Sequence, residues 1–357
     1  MSRFFSQKYR NLEAYTPGEQ PRDMKYVKLN TNESPYPPSR GVSEAVKAEV
    51  EKLQLYSDPE STSVTEAVAA LCGVSPAQVL LTNGSDEILN FAFMAFCDDV
   101  HPIVFPDITY GFYPVFAELN GIPYETVPLA DDFSIRVEDY IGIGKNIVIA
   151  NPNAPTGLAL SLSDVERIVA SNPENVVIID EAYVDFGAES AISLVDRYDN
   201  LLVTQTFSKS RSMAGARLGF GVGCESLIAD LKTIKYSTNP YNVNRMTAAA
   251  GLAAIRENDY YMQNCRRIEE TRERTKAALI GLGFEVTDSL ANFLFARCDA
   301  IDGEALYLAL KQRGVLVRHF SKEAIRDYNR ITIGTPEEME VFLSAVREIL
   351  KNGGESK

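Results

Sequence analysis

The sequence predicts an α/β protein: a large domain with a mainly parallel sheet sandwiched by helices, followed by a smaller α+β C-terminal domain. Three observations lead there. Wholly apolar, β-rich runs recur between residues 79 and 203 without polar alternation, the mark of strands covered on both faces. Helical stretches separate them, as crossovers between parallel strands require. After Pro240 the texture changes to two long helices and then to shorter mixed signals. At ~100–200 residues per domain, 357 residues accommodate two such units.

In chain order, residues 1–40 are rich in Pro, Tyr and Asn and end in Asn32-Glu33-Ser34-Pro35-Tyr36-Pro37-Pro38, which reads as an extended arm lying across something larger. Residues 41–245 carry the large domain, with strands at Val79-Leu80-Leu81, Ile103-Val104-Phe105, Ile147-Val148-Ile149, Val176-Val177-Ile178-Ile179 and Leu201-Leu202-Val203. Helices are expected from Ser85 to Cys97 and from Ser161 to Ala170. Residues 246–357 form the small domain. Its first helices run from Val243 to Glu257 and from Tyr260 to Gly281, the second stopped by Gly281 and Gly283. Strands follow near Asn292 to Ala296, at Val315-Leu316-Val317 and at Ile331-Thr332-Ile333, with helices at Gly303 to Arg313 and Pro336 to Leu350.

Composition excludes several classes. Hydrophobic residues make up 45% and charged residues 24%, which rules out collagen-like and disordered chains. A net charge of −14 opposes binding to nucleic acid or anionic lipid, while leaving room for a small anion held by a few arginines. Five scattered cysteines without a Cys-x-x-Cys pair suggest neither a disulfide framework nor a zinc site, and fit a reducing cytoplasm. No apolar run approaches the ~18 residues of a membrane span. With two histidines in the chain, His101 and His319, proton transfer falls to lysine, carboxylate or tyrosine.

Four segments carry chemistry. Leu81-Thr82-Asn83-Gly84-Ser85-Asp86-Glu87 passes from a strand through a glycine turn into a helix whose free N–H groups would face a phosphate, although on its own an ordinary strand-to-helix connection with N-capping is the better explanation. Asn151-Pro152-Asn153-Ala154-Pro155-Thr156-Gly157 freezes a loop at the carboxyl end of a strand, where open α/β sheets bind ligands. Asp180 ends the apolar run from Val176, with Tyr183 three residues on, and a carboxylate so placed needs a cation or donors. Lys209 sits between Ser208 and Ser210 just after a buried strand, with Arg217 eight residues later, so that a desolvated, reactive amine becomes credible.

Together, in this order, the four segments resemble pyridoxal-phosphate aminotransferases of the aspartate-aminotransferase fold, the type I transferases, and most closely the histidinol-phosphate aminotransferase family. Ala14-Tyr15-Thr16-Pro17-Gly18, Leu29-Asn30-Thr31-Asn32-Glu33-Ser34-Pro35 and Arg330-Ile331-Thr332-Ile333-Gly334 extend the resemblance over nearly the whole chain. It implies the cofactor pyridoxal 5′-phosphate, with Lys209 as the Schiff-base lysine and proton shuttle and Asp180 as partner of the pyridine nitrogen. Gly84, Ser85, Asp86, Ser208 and Arg217 would hold the phosphate, Tyr183 the ring hydroxyl, and Tyr110 would stack on the ring. Relatives often carry asparagine where this chain has Ala154, and the contact from that loop is assigned to Asn153.

The resemblance further implies a homodimer in which Tyr56 reaches the neighbouring subunit's cofactor phosphate. Arg330 would clamp the carboxylate of the amino-acid co-substrate, Arg318 the substrate phosphate, and Tyr15 and Asn32 would line the substrate pocket. The implied reaction converts L-histidinol phosphate and 2-oxoglutarate to imidazole-acetol phosphate and glutamate in histidine synthesis. Threonine-phosphate decarboxylation and aromatic transamination are alternatives on the same fold, and a non-catalytic ligand-binding protein is a distant one.

Overall fold

The computed structural model describes residues 2–10 and 12–354; Met1, Asn11 and residues 355–357, which the expected arm and small domain include, lie outside the described residues. An N-terminal segment with the two-residue strand β1 (Val27–Lys28) leads to helices α1 (Arg40–Val50) and α2 (Thr62–Cys72). There follow β2 (Val79–Thr82), α3 (Ser85–Phe96), β3 (Ile103–Pro106), α4 (Tyr113–Asn120), β4 (Tyr124–Val127), β5 (Asn146–Ala150), α5 (Leu162–Ser171), β6 (Val177–Asp180), β7 (Leu201–Thr206), β8 (Gly219–Gly223) and α6 (Glu225–Thr238). Helices α7 (Arg245–Arg256) and α8 (Asn258–Gly281) precede β9 (Phe284–Val286), β10 (Phe293–Cys298), α9 (Gly303–Gln312), β11 (Val315–Leu316), β12 (Arg318–His319), β13 (Asn329–Thr332) and α10 (Pro336–Gly354). No helix among the described residues is long and apolar enough to cross a membrane.

The large sheet has seven strands in the order β2-β8-β7-β6-β5-β3-β4, parallel except for β8, which runs against both its neighbours. Its central strands read as continuous apolar runs because each feeds two cores. Val177 and Ile179 of β6 enter one, while Ile178 between them enters the other. Registers Ala150 to Asp180 and Asp180 to Thr204 bring the carboxyl ends of β5, β6 and β7 level, so the loops that leave them meet at one edge. Capping fixes helix starts around that frame: Ser161 Oγ accepts from the Asp164 amide at 3.1 Å and Asn244 Oδ1 from the Thr247 amide at 2.9 Å.

A four-stranded antiparallel sheet, β12-β13-β10-β9, lies over α8, α9 and α10 around a separate core. The strand at Val315-Leu316 does not join this sheet; it pairs in parallel with β1, Val27 opposite Val315 and Lys28 opposite Leu316. The N-terminal segment continues that attachment, for the Thr332 amide donates to Leu29 O at 2.9 Å. An extended arm has unpaired backbone groups, and the cut ends of β11 and β13 supply them with partners.

Candidate active site

The turn from β2 into α3 builds one wall. Gly84 takes φ +78°, and a Cβ there would lie 2.5 Å from Arg217 Nη2, so glycine is what admits the guanidinium to the start of α3. Arg217 in turn donates to Asp86 Oδ2 at 2.9 Å and to Ser208 Oγ at 3.3 Å. Arginine, serine hydroxyls and the free amides of a helix start thus converge in one cradle, the donor set of an anion site. Tyr110 leans over it and donates to Asp86 Oδ1 at 2.7 Å.

Across the cavity, Asp180 ends β6 at 4% exposure. It accepts from Tyr113 Oη at 2.9 Å and from Thr204 Oγ1 at 3.3 Å. Burial pushes its carboxyl up to about 6, and those two hydrogen bonds only partly offset the cost. A cation placed opposite would draw it back down, so the site as built favours a positively charged partner.

Lys209 lies between these walls, its Nζ 3.3 Å from Thr31 O and 5.8 Å from the centre of the Tyr183 ring. Burial, helped by the positive charge of Arg330, holds its amine down at about 8. Because the lowered value is crossed from below as pH rises, the unprotonated, nucleophilic fraction should grow up to about pH 8 and then saturate. Stopped-flow capture of pyridoxal phosphate by the apoprotein should therefore accelerate about tenfold per pH unit below that point and level off above it.

A second, more open cavity adjoins the first, and Tyr110, Ala154, Tyr183 and Lys209 line both. Arg318 donates to Thr16 O and Pro17 O at 3.3 and 3.4 Å, pinning the arm over it, while Tyr15 packs against Phe112 with ring centres 4.3 Å apart. Arg330 donates to Asn30 O at 3.1 Å, and its buried Nε has no partner. An unpaired guanidinium N–H at the rim of a cavity is a ready donor for an incoming carboxylate.

With this geometry in hand, comparison with known proteins decides the family: residues 24–346 match the family described as aminotransferase class I and II. The chain belongs to the class I and II aminotransferases. Over 354 residues, 99% of this chain and all of the relative, this aminotransferase is 50% identical to the histidinol-phosphate aminotransferase of Brachyspira hyodysenteriae. Among solved structures, it resembles a putative histidinol-phosphate aminotransferase from Erwinia carotovora atroseptica with TM-score 0.85 and 26% identity, over 92% of this chain and 96% of the other. It also shares its fold with the histidinol-phosphate aminotransferase of Sinorhizobium meliloti in complex with pyridoxal-5′-phosphate, at TM-score 0.85 and 24% identity over 92% of both chains.

The aminotransferase's first cavity fits pyridoxal phosphate on its own chemistry: an anion cradle at one end, a buried carboxylate for a ring nitrogen, and an amine for an aldehyde. Most of the residues expected there line it, including Ser85, Asp86, Tyr110, Asp180, Tyr183, Ser208, Lys209 and Arg217. Asn153 does not. Its Oδ1 accepts from Thr109 Oγ1 at 2.8 Å and its Nδ2 donates to Ile108 O and Thr156 Oγ1, so both ends of the amide are bound, by the segment after β3 and by its own loop, and Ala154 faces the cavity instead.

Asn32 reaches the second cavity as expected, yet its amide is engaged by Tyr183 and Thr332 rather than free for substrate. Tyr56 stays outside both cavities, 78% exposed and stacked on Tyr241 with ring centres 4.5 Å apart. The sequence reading missed Tyr113 and Thr204, the two donors to Asp180. Tyr113 is three residues from Tyr110 in a helical start, and only the register of α4 against β6 turns its hydroxyl to Asp180.

Proposed function

We propose that this aminotransferase is a histidinol-phosphate aminotransferase, a cytoplasmic homodimer that moves the amino group of L-histidinol phosphate onto 2-oxoglutarate in histidine synthesis. One observation carries the reaction type: the Lys209 amine opens on both cavities, between the Asp180 and Arg217 walls on one side and Arg318 and Arg330 on the other. The full-length likeness to a histidinol-phosphate aminotransferase supports the substrate.

Pyridoxal phosphate, when bound, supplies an aldehyde for the substrate amine and a ring that accepts the electron pair left at the substrate's Cα. Lys209 Nζ would hold that aldehyde, and its free amine would carry the proton to and from the substrate Cα. Asp180 would keep a proton on the ring nitrogen by opposing it with a carboxylate. Ser208, Arg217 and the amides of Ser85 and Asp86 would orient the phosphate, Tyr110 would cover the ring and Tyr183 would donate to its oxygen. Arg330 clamps the carboxylate of glutamate or 2-oxoglutarate in a bidentate pair, and Arg318 meets the phosphate of the other substrate. Both substrates use the same pocket in turn, giving a ping-pong cycle.

The exposed apolar residues Leu53, Leu55, Tyr56 and Tyr241 support a second copy on that face, which would carry Tyr56 to the neighbouring cofactor phosphate. The test is the visible absorption of the holoenzyme on adding L-histidinol phosphate without a keto acid. The yellow band should bleach at low concentration, and phenylalanine and O-phosphothreonine should leave it. A band unmoved by histidinol phosphate would discard the substrate, and failure of pyridoxal phosphate to give any band would discard the enzyme reading.

A further inference from the structure

Three consecutive arm residues touch three different groups of the site. Asn30 O accepts from Arg330 Nη2 at 3.1 Å, Thr31 O accepts from Lys209 Nζ at 3.3 Å, and Asn32 Nδ2 donates to Tyr183 Oη at 2.9 Å. The first two contacts use backbone carbonyls that any residue would supply. The third requires the side chain at position 32.

Asn32 is 1% exposed and holds φ +57°, a left-handed conformation that asparagine tolerates better than most side chains. Its amide direction is determined by its neighbours. The Asn32 backbone N–H donates to Thr332 Oγ1 at 2.9 Å, and the single hydroxyl proton of Thr332 goes to Asn32 Oδ1 at 2.9 Å, which leaves Nδ2 facing Tyr183. Asn292 Nδ2 holds the carbonyl of Asn32 at 3.0 Å, so backbone and side chain are both fixed.

A phenol carries one proton. Since Asn32 donates to its oxygen, Tyr183 keeps that proton for another acceptor, and its side chain lines the cavity next to Lys209. In pyridoxal phosphate the ring hydroxyl stands on the carbon adjacent to the one bearing the aldehyde. A cofactor held through its aldehyde at Lys209 therefore brings its ring oxygen into the lysine's surroundings, where Ala154 offers no side-chain donor and Asn153 is occupied.

We propose that Asn32 is a positioning residue for Tyr183: by occupying the tyrosine oxygen as a donor, it fixes the hydroxyl as the hydrogen-bond donor to the cofactor's ring oxygen. The proposal rests on the pyridoxal-phosphate reading given above. A hydrogen bond donated to the ring oxygen draws negative charge away from it, and so weakens its hold on a proton at the nitrogen contributed by Lys209. Loss of that donor raises the pH at which this nitrogen gives up its proton, an event that the visible absorption reports directly.

Asn32→Asp keeps the shape and the tolerance of positive φ while replacing a donor by a group that only accepts when ionised, so the Tyr183 proton turns away from the cavity. Asn32→Gly, at ease at φ +57°, deletes the amide without adding charge and carries the test should the aspartate variant fold poorly. The pH midpoint of the visible band is expected to rise by about one unit in Asn32→Asp, comparably in Tyr183→Phe, and no further in the double variant. Asn32→Gly should shift it in the same direction by less, and thermal unfolding of the apoproteins reports separately on the fold.

If Tyr183→Phe raises the midpoint while both Asn32 variants leave it in place, Asn32 merely anchors the arm and the proposal fails, with the cofactor reading intact. If the double variant shifts further than Tyr183→Phe alone, position 32 acts by charge and not through the tyrosine, which also overturns it. An unmoved midpoint in Tyr183→Phe removes the tyrosine from the ring oxygen and the proposal with it, and a wild-type protein that gives no band with pyridoxal phosphate removes the reading on which both stand.

Discussion

Lys209→Ala is expected to lose the covalently held cofactor and to slow transamination by about 10⁴-fold or more, because one amine serves as both the attachment point and the base. Dialysis followed by absorption spectroscopy checks the first part, and single-turnover assays with added pyridoxal phosphate check the second. The fold should survive, since the amine's one hydrogen bond among the described residues is to Thr31 O at 3.3 Å and an alanine leaves no buried charge behind. An alanine variant that still transaminates at the parent rate would remove Lys209 from the chemistry.

Asp180→Asn is expected to lower kcat by about 150- to 5000-fold, the kinetic equivalent of breaking a buried ion pair worth ~3–5 kcal/mol. The substitution is close to isosteric, and Tyr113 can donate to the new carbonyl oxygen as it does to the carboxylate, at 2.9 Å in the parent. Cofactor retention should therefore change much less than the rate. Equal losses in binding and in kcat would show that Asp180 anchors the cofactor rather than keeping its ring nitrogen charged.

The central strands could be read from sequence because burial on both faces leaves them wholly apolar, as in Ile147-Val148-Ile149 and Val177-Ile178-Ile179. Other strands carry no such mark. β4 is an exposed edge strand, Tyr-Glu-Thr-Val, and β8 is Gly-Phe-Gly-Val-Gly, where packing rather than propensity selects the residues. A Cβ on Gly219 would lie 2.4 Å from the Ser85 amide nitrogen, and one on Gly221 2.4 Å from Ile88 Cδ1. Glycines demanded by close approach make a central strand look like a loop, which is how that segment reads without its neighbours.

The candidate site divides in the same way. Lys209 and Asp180 announce themselves because each is a charge at the end of a buried strand, whereas Arg217 and the Gly84 turn take on meaning only in company with them. Which loop residue faces the cavity, Asn153 or Ala154, depends on the local backbone path and on hydrogen bonds that Asn153 accepts from Thr109 and donates to Ile108 O, some 45 residues away. Neither that choice nor the pairing of Asn32 with Thr332, 300 residues apart, leaves a trace in spacing or periodicity.

The parallel pairing of β1 with β11 bears on how the protein is made. Residues 27–32 leave the ribosome early, yet their partners Val315, Leu316 and Thr332 are among the last to emerge. During synthesis the large sheet can assemble from residues 79–223 while the strip that contacts Lys209, Arg330 and Tyr183 waits unpaired. Contacts of such long sequence separation are slow to close, so the reactive amine acquires its final surroundings only when the chain is nearly complete. A nascent chain stalled before residue 315 would carry the cradle, Asp180 and Lys209 while lacking the β11 and β13 backbone that the strip pairs with.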